Sequence, residues 1–147
     1  GGEPSPWWHI DYPLLNYRVP AWISWRYGIR GLLYWGGMSY WRQTPDPWTD
    51  AWTYGRDKLV YNGEGTLVYP GRAVGYDGIA PSIRLKALRD SIEDYEYMAI
   101  LERKGLEDEA RKVVELLAES WFKWNPDPAE YEKARAYLAE MIVRGGN

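Results

Sequence analysis

Tryptophan and tyrosine far outnumber phenylalanine in this chain, which holds ten Trp and thirteen Tyr but one Phe. A core that needs only apolar bulk is built from Leu, Ile and Phe, because a buried Trp or Tyr must find a partner for its N–H or O–H group. The composition therefore favours rings that are half-buried, with an apolar face and a polar edge. Most of the Trp residues precede residue 53, namely Trp7, Trp8, Trp22, Trp25, Trp35, Trp41, Trp48 and Trp52.

Rings of this kind suit two different environments. Sugars match them, because the flat C–H face of a sugar stacks on an aromatic ring while its hydroxyl groups hydrogen-bond to polar edges. The alternative is an aromatic-rich core in which the same N–H and O–H groups bond within the protein. Composition makes carbohydrate binding a hypothesis and leaves both explanations open.

The length, charge and rare residue types exclude several classes of function. A chain of 147 residues is long enough for one domain with a sizeable core. The net charge of −3 and the lack of a Lys/Arg cluster argue against nucleic acid as a partner. With no Cys and the single histidine His9, we expect no metal site and no cofactor. No run of ~18 apolar residues exists, so we expect no membrane span.

The chain divides into two unlike parts of one domain, residues 1–80 and residues 81–147. The first part is neutral and holds most of the aromatic, Gly and Pro residues, whereas the second carries charged residues at helical spacing. Three helices are predicted in the second part: one entered at Pro81 and Ser82 and ending near Gly105, one following Leu106, and one opened by a capping box from Asp127 to Glu130.

The first part predicts a strand–helix–strand unit. Residues 6–12 have the pattern of a short strand that Pro13 ends, and Pro20 opens a short helix that stops at Gly28. Residues 29–35 form a nearly continuous apolar run, which is typical of a parallel strand covered on both faces. We therefore expect a βαβ unit whose second strand is broken by Gly36 and Gly37.

Residues 38–80 show no sustained helical period and are interrupted by many Pro and Gly residues. A loop of this length in a compact domain usually carries function. Within it, residues 59–69 have the pattern of a hairpin that turns at residues 62–65.

Two sets of candidate functional residues lie where the predicted strands end, the edge of a parallel sheet at which ligands bind. His9 and Asp11 close the first strand and are the candidate catalytic residues, although Asp11 also suits a turn cap beside Pro13. The second set is a candidate sugar-stacking surface, which we call the aromatic platform: Tyr34, Trp35, Tyr40, Trp41, Trp48 and Tyr69.

The chain lacks a visibly complete set of catalytic carboxylates. Glycoside hydrolysis ordinarily needs two carboxylates about 5–10 Å apart across one glycosidic bond. Asp11 alone lies convincingly at a strand end. The adjacent acids Glu93 and Asp94 fall inside a predicted helix, where an ion pair with Arg89 explains them more simply.

Four strings of this sequence together resemble a known family. They are IDYP at residues 10–13, WISWRYGIRGLLYW at residues 22–35, GTLVYPG at residues 65–71 and SIRLKALRDSIEDYEY at residues 82–97. In order and spacing they are similar to the C-terminal part of the glycoside hydrolase family 123-like catalytic domain, also filed as domain of unknown function 4091. The family usually has Gly where Ser91 stands in this chain.

This resemblance implies a fold, an activity and a partner. The implied fold is α/β, the C-terminal part of a (β/α)₈ TIM-type barrel, with its last two parallel strands and a long aromatic loop followed by three helices. The family cleaves N-acetyl-β-galactosaminides with the substrate's acetamido group as nucleophile, assisted by an Asp-Glu pair that no residue of this chain matches. We therefore expect the chain to be inactive alone and to need an N-terminal remainder of the barrel that carries the pair. The resemblance also implies a secreted or extracytoplasmic parent.

Two other functions remain open from the sequence. One is a non-catalytic carbohydrate-binding module built on the aromatic loop, which an all-antiparallel sheet would favour. The other is a helical interaction domain, supported only by the three C-terminal helices. In each case we expect Arg84 and Arg89, at the start of the first of these helices, to be structural, since their guanidinium groups reach carboxylates or loop carbonyls from there.

Overall fold

The computed structural model describes residues 5–35, 38–41, 46–56 and 59–145. The helices of this part of the chain are α1 (Val19–Arg26), α2 (Ile83–Arg103), α3 (Glu107–Leu117) and α4 (Pro128–Arg144), with 3-10 turns at Leu14–Tyr17 and Gly71–Val74. Its strands are β1 (Trp52–Arg56), β2 (Leu59–Asn62), β3 (Val68–Pro70), β4 (Ile79–Pro81), β5 (Ala118–Ser120) and β6 (Lys123–Trp124).

The C-terminal helices begin and end where local sequence signals place them. Ser82 caps α2 by accepting a hydrogen bond from the Leu85 backbone N–H, and α2 is followed by Gly105 with a φ of +74°. Asp127 caps α4 by accepting from the Ala129 N–H, with Pro128 as the first helical residue. Three helices form in residues 81–147 as predicted, but α3 is shorter than expected: it ends at Leu117, and Trp121, predicted on its apolar stripe, lies between β5 and β6.

The main core lies among the four helices. It consists of apolar side chains that are at least nine-tenths buried: Leu15, Val19, Trp22, Ile23, Trp25, Met98, Leu101, Ala110, Val114, Leu117, Ala118, Tyr131, Ala134 and Leu138. Two of these rings, Trp22 and Tyr131, meet edge-to-face at 5.3 Å. Part of the aromatic excess is therefore core, as the alternative explanation of the composition required.

A smaller second core joins the aromatic half of the chain to α2. Trp8, Tyr17, Leu67 and Ala87 form it, with Tyr34 packed against its edge. The Trp8 indole N–H donates to the carbonyl oxygen of Asn16 at 3.0 Å, so this buried ring is satisfied within the protein. This core fixes the N-terminal segment against the helices.

The predicted barrel architecture is wrong. Every strand pair in the described ranges is antiparallel and two-stranded: β1 with β2, β3 with β4, and β5 with β6. No closed barrel forms from them. The described chain is a small helical domain with short antiparallel strand pairs, and it is not the end of a TIM barrel.

Neither segment expected to be a parallel strand pairs with a described strand. Residues 6–12 bend into a turn, and the Ile10 N–H donates to the carbonyl of Asn62 at 3.1 Å. Residues 29–35 lack regular secondary structure, and Leu33 is 97% exposed. An apolar run indicates side chains that need burial, but a β-strand forms only where a neighbouring strand pairs with it in register. The predicted break at Gly36 and Gly37 lies outside the described residues.

The predicted hairpin over residues 59–69 is also wrong. A turn does form at residues 63–65, but β2 pairs with the preceding strand β1, while β3 pairs with the following strand β4. Because Gly63 donates its N–H to the carbonyl of Ala51 at 2.8 Å, the turn belongs to the end of the β1–β2 pair. Among the described helices, none combines the length and apolarity of a membrane span.

Candidate functional site

A cleft of about 1140 Å³ opens between the N-terminal segment, β2 and the β5–β6 hairpin. Its aromatic walls come from three parts of the chain and its polar groups are few. Both candidate catalytic residues, His9 and Asp11, line it. The aromatic residues that line it are Trp7, Tyr12, Tyr61, Phe122 and Trp124.

Two asparagines hold the N-terminal segment at the cleft. Asn62 accepts from the Ile10 N–H through its carbonyl, and its side-chain Nδ2 donates to Asp11 Oδ2 at 2.9 Å. Asn16 donates from Nδ2 to the carbonyl of Trp7 at 3.2 Å. Because these three bonds tie the segment to Asn16 and Asn62, the side chains of residues 7–11 are presented in fixed positions.

His9 lies inside a cage of aromatic rings although it lines the cleft. Its residue is 5% exposed, and its ring meets the edges of Trp7 and Tyr61, each at 5.1 Å, and of Tyr12 at 5.6 Å. Packing on three sides locks the imidazole in one orientation. Asp11, by contrast, is exposed and bonded to Asn62.

The acid in contact with His9 is Glu64, which is not among the candidate residues predicted from the sequence. His9 Nε2 lies 3.4 Å from Glu64 Oε2, and the contact does not meet hydrogen-bond geometry, so Nε2 is a buried atom without a hydrogen-bond partner. Glu64 Oε1 accepts from the Trp35 indole N–H at 3.2 Å. A carboxylate between Gly63 and Gly65, both with positive φ, is the signal that could have marked this turn.

Arg84 supports this turn from the start of α2. Its buried guanidinium donates from Nη1 to the carbonyl of Gly63 at 2.8 Å and from Nη2 to the carbonyl of Thr66. It also donates to the hydroxyl of Tyr69 at 2.8 Å. The expectation that Arg84 reaches loop carbonyls is confirmed, whereas Arg89 is exposed and bonds the neighbouring Asp90.

The aromatic platform resolves into two ring pairs and two further rings. Trp35 meets Tyr40 edge-on at 5.1 Å, and Trp48 lies against Tyr69 at 4.8 Å with an interplanar angle of 42°. The Trp41 indole donates to the carbonyl of Val68 at 3.0 Å. None of the six platform residues lines the large cleft.

Tyr34 is a half-buried platform residue whose hydroxyl and ring both have partners within the protein. Its hydroxyl accepts a hydrogen bond from the Gly65 N–H at 2.6 Å, and its ring packs on Trp8 at 4.6 Å. Burial raises the pKa of Tyr34 to about 12, against the opposing effect of the Gly65 hydrogen bond. Tyr34 and Glu64 both line a smaller cavity of about 340 Å³, together with Trp7 and Trp8 of the N-terminal segment.

In the part of the chain that the structure describes, no three acids or histidines cluster as metal ligands would. The structure thus brings His9 and Asp11 to one cleft, adds Glu64 beside His9, and places the platform elsewhere. The roles given to these residues remain predictions.

One protein-family model matches this chain. It describes the catalytic domain of glycoside hydrolase 123, and it matches residues 2–101. The matched region includes the platform, His9, Asp11, Glu64 and nearly all of α2. No curated protein matches the chain at a significant level.

Proposed function

The chain belongs to the glycoside hydrolase 123 catalytic-domain family, and from this premise we propose that it binds glycans through its aromatic platform. A glycoside-hydrolase-like protein needs surfaces that hold a sugar chain as well as residues that cleave it. Half-exposed Trp and Tyr rings supply such surfaces. The proposed ligands are N-acetylhexosamine-type glycans, on the strength of the family resemblance.

The observation that carries this proposal is the anchoring of three indoles. Trp35, Trp41 and Trp48 donate their ring N–H groups to Glu64 Oε1, the Val68 carbonyl and the Pro70 carbonyl, respectively. Trp35 is nevertheless 43% exposed and Trp48 42% exposed. A ring held by its edge with much of its surface in water is preorganised for stacking, because little side-chain entropy is lost on binding.

A glycan titration followed by Trp fluorescence tests the platform. Trp48→Ala and Trp41→Ala should each weaken binding of N-acetylgalactosamine or short glycans about ten-fold, because a stacked ring is worth about 1–2 kcal/mol. Tyr137→Ala, which removes a 48% exposed ring from α4, is the matched control and should bind as the wild type does. Equal glycan affinity in the wild type and the three variants would show that the platform does not bind glycans.

We further infer that the family's catalytic Asp-Glu pair lies outside residues 1–147. The four strings that carry the resemblance leave no residue of this chain opposite that pair. The chain alone should therefore release no product from an aryl N-acetyl-β-galactosaminide, and a further segment of the protein is its proposed partner. Turnover above background by the purified chain, lost on Asp11→Asn, would place a catalytic group here instead.

A non-catalytic carbohydrate-binding module is the second candidate function. Its support is the strand pairing, since the three pairs of the described ranges are all antiparallel, the outcome expected to favour a module. Both candidates require glycan binding by the aromatic half. They differ in what removal of this chain does: if the chain is a module, the rest of the parent protein still hydrolyses a soluble aryl glycoside, whereas if the chain is part of the catalytic domain, that hydrolysis is lost.

A further inference from the structure

The large cleft carries a binding group that the platform does not use. His9 lines the cleft but is only 5% exposed. Its Nε2 atom is buried without a hydrogen-bond partner. Unpaired buried polar atoms are rare in proteins, and a ring nitrogen in a cleft often serves a ligand. Glu64 faces this nitrogen across 3.4 Å.

A carboxylate next to one imidazole nitrogen decides where the ring proton lies. Glu64 favours the proton on Nε2, because a lone pair on Nε2 would otherwise face the negatively charged carboxylate oxygen 3.4 Å away. The second nitrogen, Nδ1, is then left with its lone pair. Nδ1 has no hydrogen-bond partner in the described part of the chain and is not buried as Nε2 is, so His9, which lines the cleft, offers an acceptor to a hydroxyl donor that enters it.

We propose that the cleft is a second saccharide subsite, in which His9 Nδ1 accepts a hydrogen bond from a sugar hydroxyl beside the ring of Trp7. Glu64 is a positioning residue that acts through the imidazole. Trp7 is 43% exposed, lines the cleft and is stacked on Tyr61 at 5.7 Å with an interplanar angle of 9°. The stacked rings of Trp7 and Tyr61 form a rigid apolar wall next to one oriented hydrogen-bond acceptor, His9 Nδ1.

A neutral oligosaccharide fits this cleft better than a small charged ligand does. Its volume of about 1140 Å³ slightly exceeds the usual range of small-molecule pockets, about 300–1000 Å³. Asp11 and Lys123 both line it, so its two charged side chains are of opposite sign. Aromatic walls with few, separated polar groups are the surface that alternating C–H faces and hydroxyls of a sugar chain require.

This inference rests on the proposed glycan binding but concerns a different surface. The platform residues do not line the cleft, and the cleft residues do not belong to the platform. Glu64 is the link between the two, because Oε2 faces His9 while Oε1 accepts from the Trp35 indole. A sugar chain long enough to reach both surfaces would therefore be recognised at two points.

The single histidine makes the proposal directly measurable. In a protein labelled with ¹⁵N-histidine, every imidazole nitrogen signal belongs to His9. We expect the free protein to show the Nε2–H tautomer. Addition of N-acetylgalactosamine or N,N′-diacetylchitobiose should shift the Nδ1 signal as it accepts a hydrogen bond, which a purely structural histidine would not do.

Substitutions at Glu64 and His9 separate a positioning role from a packing role. Glu64→Gln keeps an oxygen for the Trp35 N–H but removes the charge that orients His9, so the Nδ1 response should weaken and affinity should fall about five-fold. Glu115→Gln, an exposed acid on α3, is the matched control. His9→Asn keeps a polar acceptor near the position of Nδ1 and should bind better than His9→Gln, whose polar end lies at the position of Nε2.

The outcomes distinguish this inference from the proposed function. If glycans quench Trp fluorescence in a platform-dependent manner but leave both His9 nitrogens unshifted, the cleft subsite is wrong and the platform stands. If no glycan changes either signal, the proposed function is wrong as well. A His9 shift that persists unchanged in Glu64→Gln overturns the positioning role.

Discussion

Arg18 and Asp94, which lie 76 positions apart in the chain, form an ion pair in which Arg18 Nε donates to Asp94 Oδ2 at 2.6 Å. Asp94 is fully buried and also accepts from the Trp22 indole at 2.8 Å and from Arg135 Nε. Burial lowers the pKa of Arg18, but the hydrogen bond and charge of Asp94 outweigh this effect and raise it. One carboxylate in α2 thus orients α1 and α4.

Asp94→Asn should destabilise the protein strongly. The substitution leaves the charges of Arg18 and Arg135 without their buried partner, and breaking a buried pair on one side costs about 3–5 kcal/mol. Urea denaturation should show this loss in the free energy of unfolding. Asp90→Asn removes an acid of the same helix whose partner Arg89 is exposed, so its effect should stay within about 1 kcal/mol. Similar effects of the two substitutions would refute the central role of Asp94.

Arg84→Met should loosen the turn at residues 63–65 and lower stability. The Gly63 and Thr66 carbonyls and the Tyr69 hydroxyl lose their shared donor, and each buried group left unsatisfied costs about 1–3 kcal/mol. Arg89→Met is the exposed control and should unfold like the wild type. Thermal unfolding and glycan titration together check the assignment, because a stable Arg84→Met protein that selectively loses glycan binding would make Arg84 a ligand-binding residue instead.

Gly65→Ala should be far more harmful than Gly75→Ala. Both glycines have a φ of +74°, so each substitution costs about 1–2 kcal/mol of backbone strain. A Cβ at Gly65 would lie 2.9 Å from Tyr40 Cβ, whereas a Cβ at Gly75 would meet no atom within 4 Å. The difference between the unfolding free energies of the two variants measures the cost of the close approach of Tyr40 to the turn. If they are equal, that approach is not a constraint on the fold.

The raised pKa of Tyr34 predicts alkaline destabilisation. The pKa of Tyr34 is about 12 in the folded chain, whereas its ordinary value, which applies to the unfolded chain, is 10.0. Between these values the unfolded state binds fewer protons, so the free energy of unfolding falls as pH rises from 10 to about 12. Tyr34→Phe removes this contribution and should flatten the slope. Unfolding measured at several pH values in that window checks it, and a slope unchanged in Tyr34→Phe would contradict the burial of this hydroxyl.

The helices and the family were available from the sequence because their signals are local. The Ser82 and Asp127 caps, the Gly105 stop and the apolar stripes between them all act within one or two helical turns. Helical hydrogen bonds join residues four apart, so no distant partner has to be known. The family strings likewise lie in continuous stretches, and residues 2–101 match the family.

The strand pairing and the site depended on distant partners that no local pattern names. Residues 29–35 have the composition of a buried strand, yet a strand forms only where a neighbour supplies its hydrogen bonds, and β1 to β6 pair otherwise. Glu64 can be recognised as a site residue only in the folded chain, which places it beside His9 although 55 positions separate the two residues in the sequence. Sequence therefore determined which residues are aromatic, capped or helical, whereas tertiary contacts decided which of them meet, because burial and pairing are properties of two segments at once.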